Sequence, residues 1–220
     1  MLKNKHTLIV TFSGIDGAGK STQISSLNKY FLDNGFEPLC IWTRGGYTPG
    51  INWVKKFSRK LAGKKLPPSG NSVQREQMFG KGWIKRLWLT VAILDLLWIY
   101  SIRMRWWLWQ GKIVICDRYI WDTLIDFKIM FPGLSVEKLF LWKLLVCCTP
   151  KPNLQCLLMI PLELSEKRCA QKYEPFPDTL ERRKRRYALY EKVGKWDNWI
   201  VLDATRPVKM VFEDIRSFLS

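Results

Sequence analysis

The sequence lacks the residue patterns that build structural metal centres. It contains a single histidine, His6, and none of its six cysteines forms a Cys-x-x-Cys pair, so we expect no structural zinc site. The N-terminus runs straight into a strand-like segment at Thr7, which predicts that no signal peptide is present. Both features are typical of a cytoplasmic protein in a reducing environment.

Signs of disorder and of repeat architecture are also missing. Hydrophobic residues make up 47% of the 220 residues and charged residues 25%, which is the balance of an ordinary globular protein. We find no internal repeat. A chain of this length can bury most of its apolar surface, so we predict one domain spanning residues 1–220.

Acidic residues are scarce relative to basic ones. The chain has 36 Lys and Arg against 19 Asp and Glu, a formal charge of +17. Thirteen basic and only two acidic residues fall between positions 51 and 112, so this stretch alone carries +11. The electrostatic field of this positive charge attracts nucleotides, nucleic acid or an anionic membrane surface, but the charge alone does not indicate which of them binds.

Short apolar runs alternate with segments of helical periodicity. Continuous apolar strands between helices predict an α/β fold with a five-stranded parallel sheet and helices on both faces. The Gly-, Pro- and Lys-rich stretch 45–71 is interpreted as partly loop. The predicted strands are 7–13, 38–43, 113–116, 154–160 and 199–202, and the predicted helices are 21–34, 73–110, 135–148, 162–173, 178–193 and 207–219.

One helical segment, Trp83 to Ile102, is unusually apolar. Its apolar part is about 16 residues, short of the ~20 that span a bilayer, and Asp95 lies inside it. These features predict a buried helix. A membrane-contacting helix stays open as the alternative, because the residues that follow resemble an interfacial belt: Arg103, Arg105, Trp106, Trp107 and Trp109.

The segment from Gly14 to Ser21 fits the phosphate-loop pattern GxxxxGK[ST] and lies between a predicted strand and a predicted helix. Glycines let backbone N–H groups surround a phosphate, with the positive end of the helix dipole behind them. Lys20 is expected to reach the β- and γ-phosphates of ATP, and Ser21 to bind Mg²⁺. The predicted ATP-binding residues of this loop are Gly14, Gly17, Ala18, Gly19, Lys20, Ser21 and Thr22.

A second element supports nucleotide binding. The apolar strand before Asp117 ends in a carboxylate, as in a Walker-B strand whose acid approaches Mg²⁺. Arg118 follows immediately, and an arginine at this position suits an anionic acceptor. No Asn-Lys-x-Asp motif stands anywhere in the sequence, which disfavours a guanine-specific GTPase.

These residues resemble the thymidylate kinase family of P-loop nucleoside monophosphate kinases. The resemblance spans nearly the whole chain, and its most specific parts are the phosphate loop, with an aspartate inside it, and the Asp-Arg-Tyr element. The matching segments are Phe12 to Gln23, Thr43 to Gly46, Gly111, Asp117 to Tyr119, Glu181 and Arg182 with Tyr187, and Leu202 to Thr205.

The resemblance implies transfer of the γ-phosphoryl group of ATP to a nucleoside monophosphate, nominally dTMP to dTDP, with Mg²⁺ as cofactor. It implies a homodimer and no specific binding of nucleic acid. The roles it implies are catalysis by Lys20, Asp16, Arg118 and Asp117; acceptor binding by Asp16, Arg44, Arg118 and Tyr119; and metal binding by Ser21 and Asp117. We also assign Asp122 to acceptor binding, although the family does not have an aspartate there.

The resemblance also implies a short lid, about 168–182. Gly17 stands where some family members carry an arginine, so a lid cation is expected to supply that charge. Arg168, which we also assign to ATP binding, and Lys172 are the nearest candidates, with Arg182 next. Most of the basic run 182–186 is expected to be solvated surface.

The chain departs from the family at the positions that recognise the base of the acceptor nucleotide. Counting back from Gly111 places Ala92 and Leu96 where the family has a phenylalanine and an arginine, and Asp122 stands where it favours serine, with Asp126 one turn further. Two alternatives therefore stay open. One is a kinase of a nucleoside, sugar or lipid-linked alcohol, for which Asp122 could act as a base; the other is a non-catalytic nucleotide-binding protein.

Overall fold

Five parallel strands form one sheet in the structure, a computed structural model that describes residues 7–43, 82–171, 179–196 and 198–219. The strand order is β2-β3-β1-β4-β5. This confirms the predicted five-stranded parallel sheet. The strands are β1 (Leu8–Ser13), β2 (Leu39–Trp42), β3 (Ile113–Asp117), β4 (Leu154–Met159) and β5 (Ile200–Asp203).

Eight α-helices lie in the described part of the chain, and most coincide with predicted ones. The helix at 120–130 was absent from the predicted set, and the predicted helix at 135–148 is divided by Leu139, whose backbone is extended. The helices are α1 (Lys20–Asp33), α2 (Gly82–Leu97), α3 (Met104–Trp109), α4 (Ile120–Met130), α5 (Phe140–Cys148), α6 (Leu162–Ala170), α7 (Leu180–Val193) and α8 (Val208–Ser217).

A hydrophobic core lies on each face of the sheet. Alternate residues of β1 point to opposite faces, so Val10 joins the core with α1, α7 and α8, while Ile9 joins the core with α2, α4 and α5. Both cores contain fully buried aromatic rings, such as Phe31 in the first and Tyr100 in the second. Burial on both faces explains why the strands read as continuous apolar runs.

The apolar segment predicted to be a buried helix is buried on one side only. A π-helical stretch, Trp98–Arg103, joins α2 to α3 and makes one continuous helical segment. Its inner side, including Ala92, Leu96 and Tyr100, is fully buried, whereas Trp98 is 54% exposed. By length and composition alone, Lys85–Trp109 could cross a membrane, although 39% of its most apolar window is buried within the protein.

The sheet brings the predicted site residues to one edge. Parallel strands place all their carboxyl ends together, and ligands of open α/β sheets bind at this edge. The register pairs Phe12 of β1 and Trp42 of β2 with Asp117 of β3. The phosphate loop after β1 therefore lies beside the Asp-Arg-Tyr element after β3. The predicted loop at 45–71 lies outside the described residues, and the predicted domain over residues 1–220 lies partly outside them, so both stay predictions.

Candidate active site

The loop between β1 and α1 is shaped to receive an anion. Gly14 has φ +138°, and a Cβ there would lie 2.4 Å from the carbonyl oxygen of Leu158, so only glycine fits. Gly19, at φ +90°, precedes the first turn of α1 and faces open space. The backbone N–H groups that begin α1 are thus available to a ligand, where the helix dipole favours negative charge.

The other side of the loop packs against α6. A Cβ on Gly17 would lie 3.1 Å from the carbonyl oxygen of Ser165 and 3.3 Å from the sulfur of Cys169. The Ser165 hydroxyl donates to the carbonyl of Asp16 at 2.6 Å, and Arg168 donates to the carbonyl of Gly17 at 3.1 Å. A side chain at position 17 would therefore press tightly against α6, and Arg168 of α6 lies beside this position.

Lys20 is held inside the loop. Its ammonium group donates to the carbonyl oxygens of Gly14, at 3.0 Å, and Ile15, at 2.9 Å. Burial lowers the pKa of Lys20 to about 8, with a further lowering from Arg118 that the nearby carboxylates oppose. A triphosphate placed beside this ammonium would favour its charged form and raise the pKa again.

We expect ATP binding to take up a proton above pH 8. There the free chain holds Lys20 largely neutral, while the bound chain holds it charged, so ATP affinity falls by up to about tenfold per pH unit. Calorimetry at pH 7 and pH 9, in buffers of different ionisation enthalpy, measures the uptake. The Lys20→Met variant should lose it; equal uptake by both proteins would contradict the assignment.

Arg118 adopts a strained backbone at the end of β3. Its φ is +74°, and it is the one non-glycine residue with a positive φ in the described part of the chain. Its N–H donates to the carbonyl of Phe12 at 2.9 Å, and the Thr43 hydroxyl donates to its carbonyl at 3.1 Å. Tyr100 in turn donates to the Thr43 hydroxyl at 2.7 Å. Such strain costs on the order of 1–3 kcal/mol and concentrates at functional sites.

The Arg118 guanidinium is aimed at the phosphate loop. Its Nη2 donates to Asp16 at 2.6 Å and its Nη1 to the hydroxyl of Tyr190 at 3.1 Å, with a carboxylate oxygen of Asp122 3.9 Å away. Burial alone would lower the pKa of Arg118, but the surrounding acidic groups raise it well above the usual value. The arginine is a permanent cation whose two hydrogen bonds to described residues leave donors for a ligand.

Asp122 holds the residues around Arg118 in place. It is 1% exposed and accepts hydrogen bonds from the Ser13 hydroxyl, the Tyr119 N–H and the Tyr190 hydroxyl, at 2.6, 2.9 and 2.6 Å. Burial and the Asp122 charge raise the pKa of Tyr190, so its hydroxyl stays protonated and donates. Because it already accepts three hydrogen bonds, the Asp122 carboxylate can position Arg118, both directly and through the Tyr190 hydroxyl. Tyr190 belongs to no motif in the sequence and was not predicted as a site residue.

Asp117 has an oxygen suited to a hydrated cation. Its Oδ1 is buried and has no hydrogen-bond partner among the described residues. Burial raises the pKa of Asp117, and Lys20 opposes that shift. Ser21 lies in the first turn of α1, exposed to solvent at the same edge. Within the described ranges, no group of three or more Asp, Glu, His or Cys residues is arranged to hold a metal ion, but Mg²⁺ beside a nucleotide takes most of its ligands from phosphates and water.

Other predicted residues lie away from the cleft or outside the described ranges. Tyr119 is 1% exposed and donates its hydroxyl to the carbonyl of Pro150, so its side chain supports the core. Ala92 and Leu96, which stand at the base-reading positions of the family, are fully buried in the core. Arg44 and Lys172 lie outside the described residues. Arg182 lies in the first turn of α7, at the start of the basic run, and is half-buried.

Within the basic run 182–186, Arg186 departs from the expected solvated surface. It is 3% exposed and forms an ion pair with Asp126, which is itself 4% exposed. The pair ties α7 to α4 one turn away from the Tyr190–Asp122 hydrogen bond. This contact could not be predicted from the sequence, because Arg186 looks like the other members of a long basic run and is the only one of them that is fully buried.

We expect Arg186→Met to lower the free energy of unfolding by about 3–5 kcal/mol, because it leaves the Asp126 carboxylate buried beside an apolar group. The double variant Asp126→Leu/Arg186→Met should recover most of that loss. Urea unfolding measures both. Arg206→Met, which breaks the half-exposed pair with Asp214, is the control and should cost under about 1 kcal/mol. A similarly small cost for Arg186→Met would contradict the expectation.

Comparison with known proteins agrees with this geometry. The family model described as thymidylate kinase matches residues 103–215, just over half of the chain. The thymidylate kinase of Symbiobacterium thermophilum is 28% identical, with 96% of this chain and 91% of the relative covered. That of Thermomicrobium roseum is 29% identical over 94% of this chain and 91% of its own length. The chain belongs to the thymidylate kinase family.

Proposed function

We propose that the protein transfers the γ-phosphoryl group of ATP to dTMP, giving dTDP and ADP. Family membership makes it an ATP-dependent phosphotransferase that binds ATP and a nucleotide substrate. The observation that carries the proposal is the contact between Arg118 and Asp16, at 2.6 Å, because it joins the end of β3 to the phosphate loop. Donor and acceptor phosphates bound at these two elements would meet between them.

The residues on the two sides of that contact have different roles in phosphoryl transfer. The loop N–H groups and the Lys20 ammonium neutralise the β- and γ-phosphates, while the Arg118 fork holds the acceptor phosphate. Asp16, between them, is 24% exposed and can accept a hydrogen bond from the sugar of the acceptor. Phosphoryl transfer mainly requires in-line placement of the reacting groups and neutralisation of their charge, and these residues would contribute to both.

Mg²⁺, when bound with ATP, would neutralise charge on the β- and γ-phosphates. Ser21 offers a hydroxyl ligand at the start of α1, and the buried Oδ1 of Asp117 suits a water of the hydrated ion. Arg168, fixed to the loop through the carbonyl of Gly17, is the described lid cation placed to supply the charge that position 17 lacks. These roles, like that of Arg44 on the acceptor phosphate, are our proposals.

The test is an assay of ADP release with Mg-ATP and a panel of acceptors. We expect dTMP to be phosphorylated, with weaker or no activity on dUMP, dCMP, dAMP, dGMP and thymidine. A Lys20→Ala sample purified in the same way controls for host kinases. Activity on thymidine or another alcohol with none on dTMP would contradict the proposed acceptor; ATP binding without transfer to any acceptor would contradict the kinase.

We also infer a cytoplasmic location. Six cysteines are present, and those in the described residues are all free thiols, as in a reducing compartment. A homodimer and a peripheral membrane contact both stay predictions. Both would use the exposed side of the helical segment 82–109.

A further inference from the structure

We propose that Tyr100 is a positioning residue for the acceptor phosphate, because it holds Arg118 in place through the hydroxyl of Thr43. This inference rests on the proposed function, in which the Arg118 guanidinium binds that phosphate. Tyr100 lies on the inner side of the helical segment 82–109, is fully buried and belongs to no motif of the sequence. Its hydroxyl is directed at the edge of the sheet that carries the site.

Two hydrogen bonds connect Tyr100 to the backbone of Arg118. The Tyr100 hydroxyl donates to the Thr43 hydroxyl oxygen at 2.7 Å, and the Thr43 hydroxyl donates its own proton to the Arg118 carbonyl at 3.1 Å. Each hydroxyl has one proton, so both bonds run in the same direction. Burial raises the pKa of Tyr100 well above its usual value, so its hydroxyl keeps the proton that the first bond uses. Hydrogen bonds in such a buried chain polarise and strengthen one another.

The ring of Tyr100 supports the same part of the backbone by a second contact. Its centroid lies 4.7 Å from the ring centroid of Tyr119, the residue that follows Arg118. The Arg118 carbonyl belongs to the peptide group that joins Arg118 to Tyr119, so the hydrogen-bond chain and the ring contact act on one peptide group. Tyr100, Thr43, Arg118 and Tyr119 are each at most 5% exposed, so water does not compete for these contacts.

Arg118 needs such support because its backbone is strained. Its φ of +74° lies in the left-handed region, which a non-glycine residue keeps only where its surroundings hold it. The Phe12 carbonyl holds the Arg118 N–H at 2.9 Å, and the Thr43 hydroxyl holds the carbonyl at the other end of the residue. Relaxation of this backbone would turn the guanidinium away from Asp16 and from the phosphate loop.

The backbone around Tyr100 is also unusual. Tyr100 lies inside the π-helical stretch Trp98–Arg103, after which the Met104 N–H donates to the carbonyl of Ile99, five residues earlier. π-Helical turns are rare, and they occur frequently at functional sites. This stretch and the positive φ of Arg118 lie at the two ends of one hydrogen-bond chain. The coincidence favours a role of the Tyr100 hydroxyl in the site over a role in packing alone.

The test compares steady-state kinetics of variants that remove one hydroxyl at a time. We expect Tyr100→Phe to lower kcat/KM for dTMP about tenfold and Thr43→Val about 30-fold, with the KM for ATP changed less than about twofold. Thr43→Ser keeps the hydroxyl and should stay within about threefold of the wild type. Tyr30→Phe makes the same exchange in a tyrosine packed against the other core and should leave kcat/KM unchanged.

The double variant shows whether Tyr100 acts through Thr43. If it does, loss of the Tyr100 hydroxyl has no further effect once the Thr43 hydroxyl is gone, so Tyr100→Phe/Thr43→Val should match Thr43→Val in kcat/KM for dTMP. Separate structural roles would instead add in free energy and give a loss of about 300-fold. Urea unfolding shows that each variant is folded under the conditions of the assay.

A binding measurement separates this inference from the proposed function. Calorimetry of dTMP binding without ATP needs no turnover, and we expect the Kd for dTMP to rise in both single variants. A wild-type protein that neither binds nor phosphorylates dTMP would contradict the proposed function together with this inference. The inference alone would be overturned if the wild type were active on dTMP and both single variants kept its kcat/KM and Kd, or if the double variant showed the additive loss.

Discussion

Replacing Arg118 by lysine is expected to lower kcat/KM for dTMP by about 10³-fold, with a smaller effect on the KM for ATP. Lysine keeps the positive charge but loses the planar fork that contacts Asp16 and Tyr190 in two directions. Its single ammonium cannot hold the acceptor phosphate while keeping both contacts. Steady-state kinetics with dTMP and ATP varied separately measures the effect.

Two variants separate the role of the fork from a general loss of structure. Arg185→Lys makes the same exchange at an exposed position of α7 and should leave kcat/KM unchanged. Tyr190→Phe removes one contact of Arg118 and leaves Asp16, so we expect a loss of about tenfold. An Arg118→Lys enzyme that kept more than a tenth of wild-type kcat/KM would exclude Arg118 from the acceptor site.

The parts of the site that lie close together in the sequence were predictable. The residues from Gly14 to Ser21 carry their own geometry, because glycines, a strand before them and a helix after them suffice to form an anion-binding loop. Asp117 and Arg118 could be placed beside that loop because parallel strands share one edge for their carboxyl ends. Family resemblance then supplied the expected roles.

The supports of the site were not predictable, because they join distant helices. Tyr190 meets Asp122 across 68 residues and Arg186 meets Asp126 across 60, and no local pattern marks such a pair. Asp122 illustrates the consequence: its position suggested a base for a hydroxyl, while the structure surrounds it with three donors. Buried carboxylates take their function from partners that only the fold brings together.

The exposed side of the helical segment 82–109 was not predicted, for a related reason. Length and the single charge of Asp95 distinguish a spanning helix from a shorter one, but they do not separate a buried helix from one with an exposed apolar side. Large apolar residues occupy both sides of the segment 82–109, so its inner and outer faces are hard to tell apart in the sequence. Packing of Tyr100 and Met104 on the sheet determines which side remains outside.

Replacing Lys20 by alanine is expected to lower kcat by at least about 10³-fold while the protein stays folded. The ammonium is hydrogen-bonded inside the loop, to the carbonyl oxygens of Gly14 and Ile15. Without it, charge that develops on the β- and γ-phosphate oxygens during transfer would lose the cation that the loop itself provides. Burial of the Lys20 charge costs stability, as its lowered pKa indicates, so the alanine variant should unfold at the same or higher urea concentration.

Single-turnover measurement distinguishes this effect from loss of ATP. If Lys20 acts mainly in the transition state, Lys20→Ala lowers the rate of the chemical step far more than it raises the Kd for ATP. Lys29→Ala on the same helix, outside the loop, serves as the control and should behave like the wild type. If Lys20→Ala kept the wild-type single-turnover rate, the γ-phosphate could not bind at this loop. The reaction would then take place away from the edge of the sheet that carries Arg118.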